Sequence, residues 1–189
     1  IDVFNSLVKY KDRPTLSNLL VQPFYKFNQQ EFKERIFKNY DHSKINVLSN
    51  ERLSGYPISG GYDSLQIAKR LKKACPNAKI IVNVREQREM ITSQYLEYMK
   101  SYGVEKFNEL LLYSKGHSSR FPSFTFDFFK YHAQISAYKE IFGELNVLVL
   151  PYELFKENPR VFMKYLFEYF GLSEIENILS KLDFNNYSN

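Results

Sequence analysis

Residues 79–100 read Lys-Ile-Ile-Val-Asn-Val-Arg-Glu-Gln-Arg-Glu-Met-Ile-Thr-Ser-Gln-Tyr-Leu-Glu-Tyr-Met-Lys, and the predicted sheet is built around this segment. Ile80 to Val84 is a nearly unbroken apolar run, which is typical of a strand covered by helices on both faces of a parallel sheet. After Arg85, apolar residues recur every three or four positions as far as Met99, which predicts an amphipathic helix. The segment therefore predicts a central strand, an arginine at its carboxyl end, and a helix.

The arginine at the strand end predicts an anion site. In open α/β sheets, ligands bind beyond the carboxyl ends of the strands, where a helix amino terminus offers free N–H groups. Ser93 lies eight residues after Arg85, near the second turn of the predicted helix. A guanidinium and a hydroxyl together suit a phosphate monoester. The alternative is that Arg85 pairs with a neighbouring glutamate and that Ser93 is an ordinary helix serine, and spacing alone favours this alternative.

Length and composition predict one globular domain that spans residues 1–189. The chain is 44% hydrophobic and carries a net charge of +5, which suits an anionic ligand, an acidic glycan or a membrane surface. No dense basic run with interleaved aromatic residues suggests nucleic acid. No segment reaches the ~18 consecutive apolar residues that a membrane span needs. These features predict a cytoplasmic protein, with peripheral attachment to a membrane as the alternative.

The sequence predicts neither a disulfide nor a metal site. Cys75 is the single cysteine, so an intramolecular disulfide is impossible. The histidines, His42, His117 and His132, show no ligand spacing. His132 falls within a predicted helix and is better explained as a structural residue than as a base.

A second strand, residues 45–49, precedes the central one, and polar residues including Glu51 follow it directly. A helix over residues 64–74 connects the two strands, which predicts a right-handed βαβ unit. The carboxyl ends of both strands then open on the same side of the sheet. This arrangement predicts that Glu51 and Arg85 lie on one rim.

The connecting helix has sequence signals of its own. Asp63 and Gln66 have the spacing of a capping box, in which each side chain satisfies a backbone N–H of the first turn. Its predicted inward face consists of Leu65, Ala68 and Leu71.

The carboxyl-terminal half predicts one more strand between further helices. Residues 147–150 have the character of a third strand, and residues 158–171 that of an amphipathic helix. An aromatic and aliphatic stripe predicts a mostly buried helix, with the residues Phe128, Tyr131, Ile135, Tyr138 and Phe142. The predicted fold class is therefore α/β, a three-layer sandwich with a central, mainly parallel sheet flanked by helices.

Two segments, in the same order, resemble the sulfotransferases that use 3′-phosphoadenosine 5′-phosphosulfate (PAPS). Residues 80–93 are similar to the family's 3′-phosphate-binding segment, in which a strand-end arginine is followed eight residues later by a serine. Residues 147–172 resemble the family's strand, its Tyr-Glu-Asp-Leu-like turn and the helix that follows. Residues 47–55 are similar to the strand end where bacterial members place a carboxylate near the reacting centre.

This resemblance implies a P-loop NTPase-like fold and an enzyme that transfers a sulfuryl group from PAPS to a hydroxyl or amine of a carbohydrate or another polar acceptor, with a glycan or glycolipid as the expected kind of acceptor. Arg85 and Ser93 would hold the 3′-phosphate, and Tyr152 would lie near the adenine. Glu51 would act as the general base that takes the proton of the acceptor, and the alternative is a surface glutamate that pairs with Arg52 or Lys44. PAPS is the expected co-substrate, and no metal is expected.

One part of the family pattern is missing. The family's 5′-phosphosulfate loop is a glycine-rich turn near the amino terminus, and residues 1–28 contain no glycine. We expect this loop and its strand to lie upstream of Ile1. The alternatives are a P-loop nucleotide kinase, which would need a Walker-type lysine and Mg²⁺ ligands, and a binding protein that keeps the fold without catalysis.

Overall fold

A computed structural model describes residues 4–7, 13–38, 40, 42–57, 60–101, 103–112 and 125–182. Its strands are β1 (Phe4–Leu7), β2 (Ile45–Val47), β3 (Ile80–Val84) and β4 (Val147–Pro151). Its α-helices are α1 (Arg13–Leu20), α2 (Gln29–Phe37), α3 (Ser64–Ala74), α4 (Gln87–Lys100), α5 (Phe107–Leu112), α6 (Tyr131–Phe142), α7 (Tyr152–Glu157), α8 (Pro159–Phe170) and α9 (Ile175–Ser180). Short 3₁₀ turns cover Phe24–Lys26, Glu51–Ser54, Phe126–Phe129 and Glu144–Asn146.

The strands form two parallel pairs. β3 pairs with β4 in a register that sets Ile80 opposite Val147 and Val84 opposite Pro151. β1 pairs with β2, where Ile45 lies opposite Phe4. Parallel strands connected by helices define an α/β fold, so the predicted fold class is confirmed.

The partners of β2 and β3 differ from the prediction. Within the residues that the structure describes, β2 bonds to β1 and β3 bonds to β4, and no ladder joins β2 to β3. Helix α3 therefore connects strands of two different pairs rather than two hydrogen-bonded neighbours. A cleft of about 1400 Å³ is lined by residues of β2 along one side and of β3 along the other. Among the described residues, β2 and β3 are therefore each paired along one edge only.

The main core lies between the strands and helices α2, α3 and α6. Its buried residues are Leu19, Phe32, Ile67, Ala68, Leu71, Ala74, Tyr138, Phe142 and Val147. Ile80 and Val82 of β3 pack against this cluster, as expected for alternate residues on one face of a strand. Burial of this shared face fixes the position of β3 relative to α3 and α6.

The buried face of helix α3 differs in part from the predicted one. Ile67 is fully buried, whereas Leu65 is 45% exposed. Ala68 and Leu71 are buried as predicted. The Asp63 side chain makes no capping bond to α3, because its carboxylate accepts a hydrogen bond from the N–H of Tyr56 at 2.9 Å.

Arg70 is a buried charge that closes the carboxyl end of α1. Only 5% of the residue is exposed. Its Nη1 donates to the carbonyl of Leu19 at 2.7 Å and its Nη2 donates to that of Gln22 at 2.6 Å. The last carbonyls of a helix have no partner within the helix, so a guanidinium is a suitable donor for them. The ring of Phe27 lies 4.8 Å from the guanidinium carbon and completes its surroundings.

We predict that Arg70→Met lowers the free energy of unfolding by about 2–3 kcal/mol, because two carbonyls lose their buried donor. Urea denaturation would measure the change. Lys69→Met is the matched control, since Lys69 is exposed on the same helix and should change stability little. Equal stability of the two variants would contradict the role given to Arg70.

Candidate functional site

The turn between β3 and α4 carries Arg85. β3 ends at Val84, and Glu86 is the N-cap of α4, where its carboxylate accepts the N–H of Glu89 at 2.8 Å. This bond satisfies one of the free N–H groups in the first turn of the helix. The same bond, together with the side chain of Arg88, lowers the pKa of Glu86. The local sequence thus explains why α4 begins directly after Arg85.

One edge of the Arg85 guanidinium is engaged by Glu89. The Nε and Nη2 atoms of Arg85 donate to the same carboxylate oxygen, Oε2, at 3.0 and 2.9 Å. A guanidinium carries five N–H donors, so three remain beyond this pair. The pairing with a neighbouring glutamate that the sequence offered as an alternative is therefore present. It also leaves donors that can bind an anion.

Arg85 and Ser93 line one shallow cavity of about 530 Å³ at the carboxyl end of β3. The other lining residues are Glu86, Arg88, Glu89, Thr92 and Leu96. The hydroxyl of Thr92 donates back to the carbonyl of Arg88 at 2.8 Å, within the helix. The structure thus brings together the two residues that the sequence predicted to share an anion site.

The register of β3 against β4 places the first residue of α7 beside Arg85. Val84 lies opposite Pro151, so the residues that follow them, Arg85 and Tyr152, come side by side. The guanidinium carbon of Arg85 is 5.4 Å from the ring centroid of Tyr152, which is 39% exposed. The contact of Tyr152 with an adenine stays a prediction, while its position beside Arg85 is observed.

Glu153, in the first turn of α7, binds the turn that carries Arg85. Its Oε1 accepts the N–H of Glu86 at 2.8 Å, and this bond is the main reason that the pKa of Glu153 is lowered. The two residues are 67 positions apart in the chain, so sequence reasoning had no signal for the pairing. The carboxylate of Glu153 therefore fixes the backbone next to Arg85.

Two further hydrogen bonds hold the same turn. The hydroxyl of Tyr131 donates to the carbonyl of Arg85 at 2.9 Å, and the amide of Gln87 donates to the carbonyl of Phe129 at 2.7 Å. Burial raises the pKa of Tyr131, and the nearby carboxylates act in the same direction. The phenol is therefore a donor at neutral pH, and the backbone of Arg85 is held from the side of α6.

Glu51 lies beyond the end of β2, at the start of the turn Glu51–Ser54. This turn is capped by Asn50, whose side chain accepts the N–H of Arg52 at 2.9 Å. Glu51 is exposed and lines the large cleft between β2 and β3. The ion pair of Arg52 is with Asp63, at 3.5 Å, and not with Glu51. The side chain of Glu51 therefore lines the cleft and is not engaged by Arg52.

Glu51 and Arg85 line two separate cavities. The prediction that Glu51 and Arg85 share one rim assumed that β2 and β3 are neighbouring strands. In the described part of the chain these two strands are not paired, and residues of both line a cleft. The structure brings Ser93 and Tyr152 close to Arg85, but it does not bring Glu51 into the same cavity.

The loop that follows Glu51 is tightly built. Gly55 has a φ of +97°, and a Cβ atom added there would lie 2.8 Å from the Cα of Gly61. Asp63 is 7% exposed and anchors the loop through the N–H of Tyr56. The guanidinium carbon of Arg52 lies 4.4 Å from the ring centroid of Tyr56. Only a residue without a side chain fits at Gly55, so this loop keeps the end of β2 in a defined shape.

Two features are absent from the described ranges, a cluster of metal ligands and a helix that could span a membrane. There, no group of three or more histidine, cysteine, aspartate or glutamate side chains could hold a metal ion. His132 is exposed on α6, and His117 lies outside the described residues. In the same part of the chain, no helix is both long enough and apolar enough to cross a membrane.

Comparisons with known proteins identify the family. Residues 15–189 match the sequence profile described as a sulfotransferase domain, so the chain belongs to the sulfotransferase domain family. The solved structure of a sulfotransferase from Alicyclobacillus acidocaldarius is similar, with 20% sequence identity and a TM-score of 0.56. The similarity covers 79% of this chain and 59% of that one, and it shows a shared fold. Among curated proteins, no sequence matches this chain significantly.

The family assignment confirms the resemblance read from the sequence. It does not test the roles of individual residues. Arg85, Ser93, Tyr152 and Glu51 therefore stay predictions as site residues.

Proposed function

We propose that the protein is an enzyme that transfers a sulfuryl group from PAPS to a hydroxyl or amine of a carbohydrate or another polar acceptor. The observation that carries this proposal is the cavity shared by Arg85 and Ser93, in a chain that belongs to the sulfotransferase domain family. The net charge of +5 suits both the anionic donor and an acidic acceptor. The proposal places the enzyme in the cytoplasm, free or attached to a membrane surface.

The donor's 3′-phosphate is assigned to Arg85 and Ser93. The guanidinium has three N–H groups beyond its pair with Glu89, and Ser93 lies in the same cavity. Charge-assisted hydrogen bonds from a guanidinium to a phosphate are among the stronger polar contacts in proteins. Tyr152 lies beside Arg85 and offers an aromatic surface for the adenine. The residues that are present therefore fit this end of the nucleotide.

The acceptor is assigned to the side of the cleft where Glu51 lies. In the proposed reaction, the acceptor oxygen or nitrogen forms a bond to the sulfur, and the bond from sulfur to the donor's phosphate oxygen breaks. The leaving 3′-phosphoadenosine 5′-phosphate keeps that electron pair. The proton of the acceptor passes to the carboxylate of Glu51, which acts as the general base. Positioning and electrostatic stabilisation of the leaving phosphate supply the rest of the catalysis.

We expect 3′-phosphoadenosine 5′-phosphate to raise the melting temperature of the full polypeptide, and ATP with Mg²⁺ to leave it unchanged. At a ligand concentration of about 100 Kd the stabilisation is about 2.7 kcal/mol, which corresponds to a shift of about 5–10 °C for a chain of this size. A shift with ATP and Mg²⁺ alone would favour a nucleotide kinase, and no shift with either nucleotide would favour a binding protein without this chemistry.

In the same assay, Arg85→Ala should weaken nucleotide binding by about 2–3 kcal/mol, since a charge-assisted contact is lost, and Ser93→Ala by about 1 kcal/mol. Arg160→Ala is the matched control. Arg160 is also a partly exposed arginine paired with a glutamate, Glu176, and it lines neither cavity. Unchanged affinity in both site variants would overturn the assignment.

Glu51→Gln should lower turnover by about 10²–10⁴-fold, the usual effect of removing a general base, while donor affinity is retained. Turnover and donor affinity are measured separately, with Glu140→Gln on the exposed side of α6 as the control. Retained turnover would assign the base elsewhere, and His132 would be tested next. Loss of both turnover and donor binding would show that Glu51 has a structural role.

A further strand is part of the proposal for the domain. We propose that one domain covers residues 1–189 and that a strand followed by the phosphosulfate loop lies between β2 and β3. A strand inserted there would be about 4.8 Å from each neighbour, and it would join the two pairs into one parallel sheet. Apolar residues that line the cleft, including Val47, Leu48 and Val82, suit such a strand.

This proposal predicts that the gene encodes, upstream of Ile1, a short apolar run followed by a turn rich in Gly, Lys, Ser and Thr. Amide hydrogen exchange should then be slower in β2 and β3 of the full polypeptide than in residues 1–189 alone. A gene product that begins within a few residues of Ile1 would remove this prediction, and the exchange measurement tests the strand position separately.

A further inference from the structure

Helix α6 carries three hydrogen-bond donors on one face. Tyr131, Gln134 and Tyr138 follow one another at spacings of three and four residues, which places them on the same side of a helix. Their hydrogen-bond partners are all backbone carbonyls. Tyr131 donates to Arg85 at 2.9 Å, and Gln134 and Tyr138 donate to Ser54 and Leu53, each at 2.7 Å.

These carbonyls belong to the two turns that carry the proposed site residues. Arg85 lies in the turn after β3, and Leu53 and Ser54 belong to the turn that begins at Glu51. In the described part of the chain, no strand ladder joins these two turns, since β2 and β3 are not paired. The three bonds from α6 therefore link them directly.

The link is rigid because α6 is itself fixed in the core. Tyr138 is 6% exposed, and its ring stacks against that of Phe142 with centroids 6.0 Å apart. Residues 131 and 138 are about 10 Å apart along the axis of a regular helix. The helix thus sets a constant distance between the attachment points of the two turns. Burial raises the pKa of Tyr138 to about 12, so its hydroxyl keeps its proton at neutral pH.

We propose that Tyr131, Gln134 and Tyr138 are positioning residues that set the separation between the turn of Arg85 and the turn of Glu51. This inference rests on the proposed function, because that function assigns nucleotide binding to the turn of Arg85 and the general base to the turn of Glu51. None of the three side chains is assigned to a reacting group. They act through backbone carbonyls, that of Arg85 itself and those of Leu53 and Ser54 in the turn of Glu51.

The three donors have distinguishable effects. Gln134→Met removes a donor to the turn of Glu51 and keeps a side chain of similar size, so it should lower kcat about tenfold and leave nucleotide affinity within twofold. Tyr131→Phe loosens the turn of Arg85, so it should weaken nucleotide binding several-fold. Tyr138→Phe should resemble Gln134→Met, with lower stability because its hydroxyl is the more buried.

Tyr169→Phe is the matched control. The hydroxyl of Tyr169 also donates to a backbone carbonyl of β3, that of Ile80 at 3.3 Å, but at the amino end of the strand. Its removal should leave kcat and nucleotide affinity within twofold of the original protein.

Amide hydrogen exchange of the full polypeptide gives a readout that needs no activity. We expect faster exchange at residues 53–56 in Gln134→Met, faster exchange at residues 86–90 in Tyr131→Phe, and neither change in Tyr169→Phe. Unchanged exchange in both α6 variants would overturn the inference. Faster exchange with unchanged kcat and affinity would also overturn it, because the bonds would then be structural only.

Failure of the proposed function has a different signature. If the original protein neither binds 3′-phosphoadenosine 5′-phosphate nor transfers sulfuryl groups, the proposed function is wrong. In that case the exchange data alone decide whether α6 holds the two turns, and the catalytic purpose given to that link falls with the proposed function.

Discussion

The parallel register of β3 against β4 is the constraint on which the candidate nucleotide site depends. Because Val84 lies opposite Pro151, the two residues that follow each strand meet in pairs. Arg85 lies against the ring of Tyr152, and in the next position the N–H of Glu86 donates to Glu153. A shift of the register by one residue would separate both pairs and reverse the faces of the strand. The site therefore depends on the same ladder that forms the sheet.

Charge around Arg85 is balanced rather than strongly positive. Glu89 accepts two hydrogen bonds from its guanidinium, Glu86 lies in the same turn, Glu153 lies in the first turn of α7, and Arg88 is the second cation of the cavity. Glu89 holds the arginine in one orientation, and the three carboxylates together reduce its attraction for anions in general. An anion that binds there must offer oxygens to the remaining N–H groups. Recognition by the proposed site therefore rests on geometry more than on net charge.

Much of the fold could be predicted from local patterns. The strand of residues 80–84, the helix after it and the closeness of Arg85 to Ser93 all follow from periodicity within about fifteen residues. The pairing of β2 could not be predicted, because an apolar run does not show which strand lies beside it. The burial of Ile67 in place of Leu65 depends on tertiary packing in the same way. The stripe on α6 was predicted as core, but the hydroxyls of Tyr131 and Tyr138 within it bind backbone carbonyls 46 and 85 residues away, as does the amide of Gln134, which was not part of the prediction.

Several tertiary contacts in this protein end on backbone carbonyls rather than on side chains. Arg70 donates to two carbonyls at the carboxyl end of α1, and the donors of α6 bind those of the turns near the site. Every amino acid supplies a backbone carbonyl, so a mutation of Leu53 or Ser54 leaves the hydrogen-bond acceptor in place. The framework can therefore persist while the side chains of these turns diverge. Under the proposed function, substitution in the turns alone can change the preference for the sulfuryl acceptor, with the scaffold that orients the turns inherited unchanged.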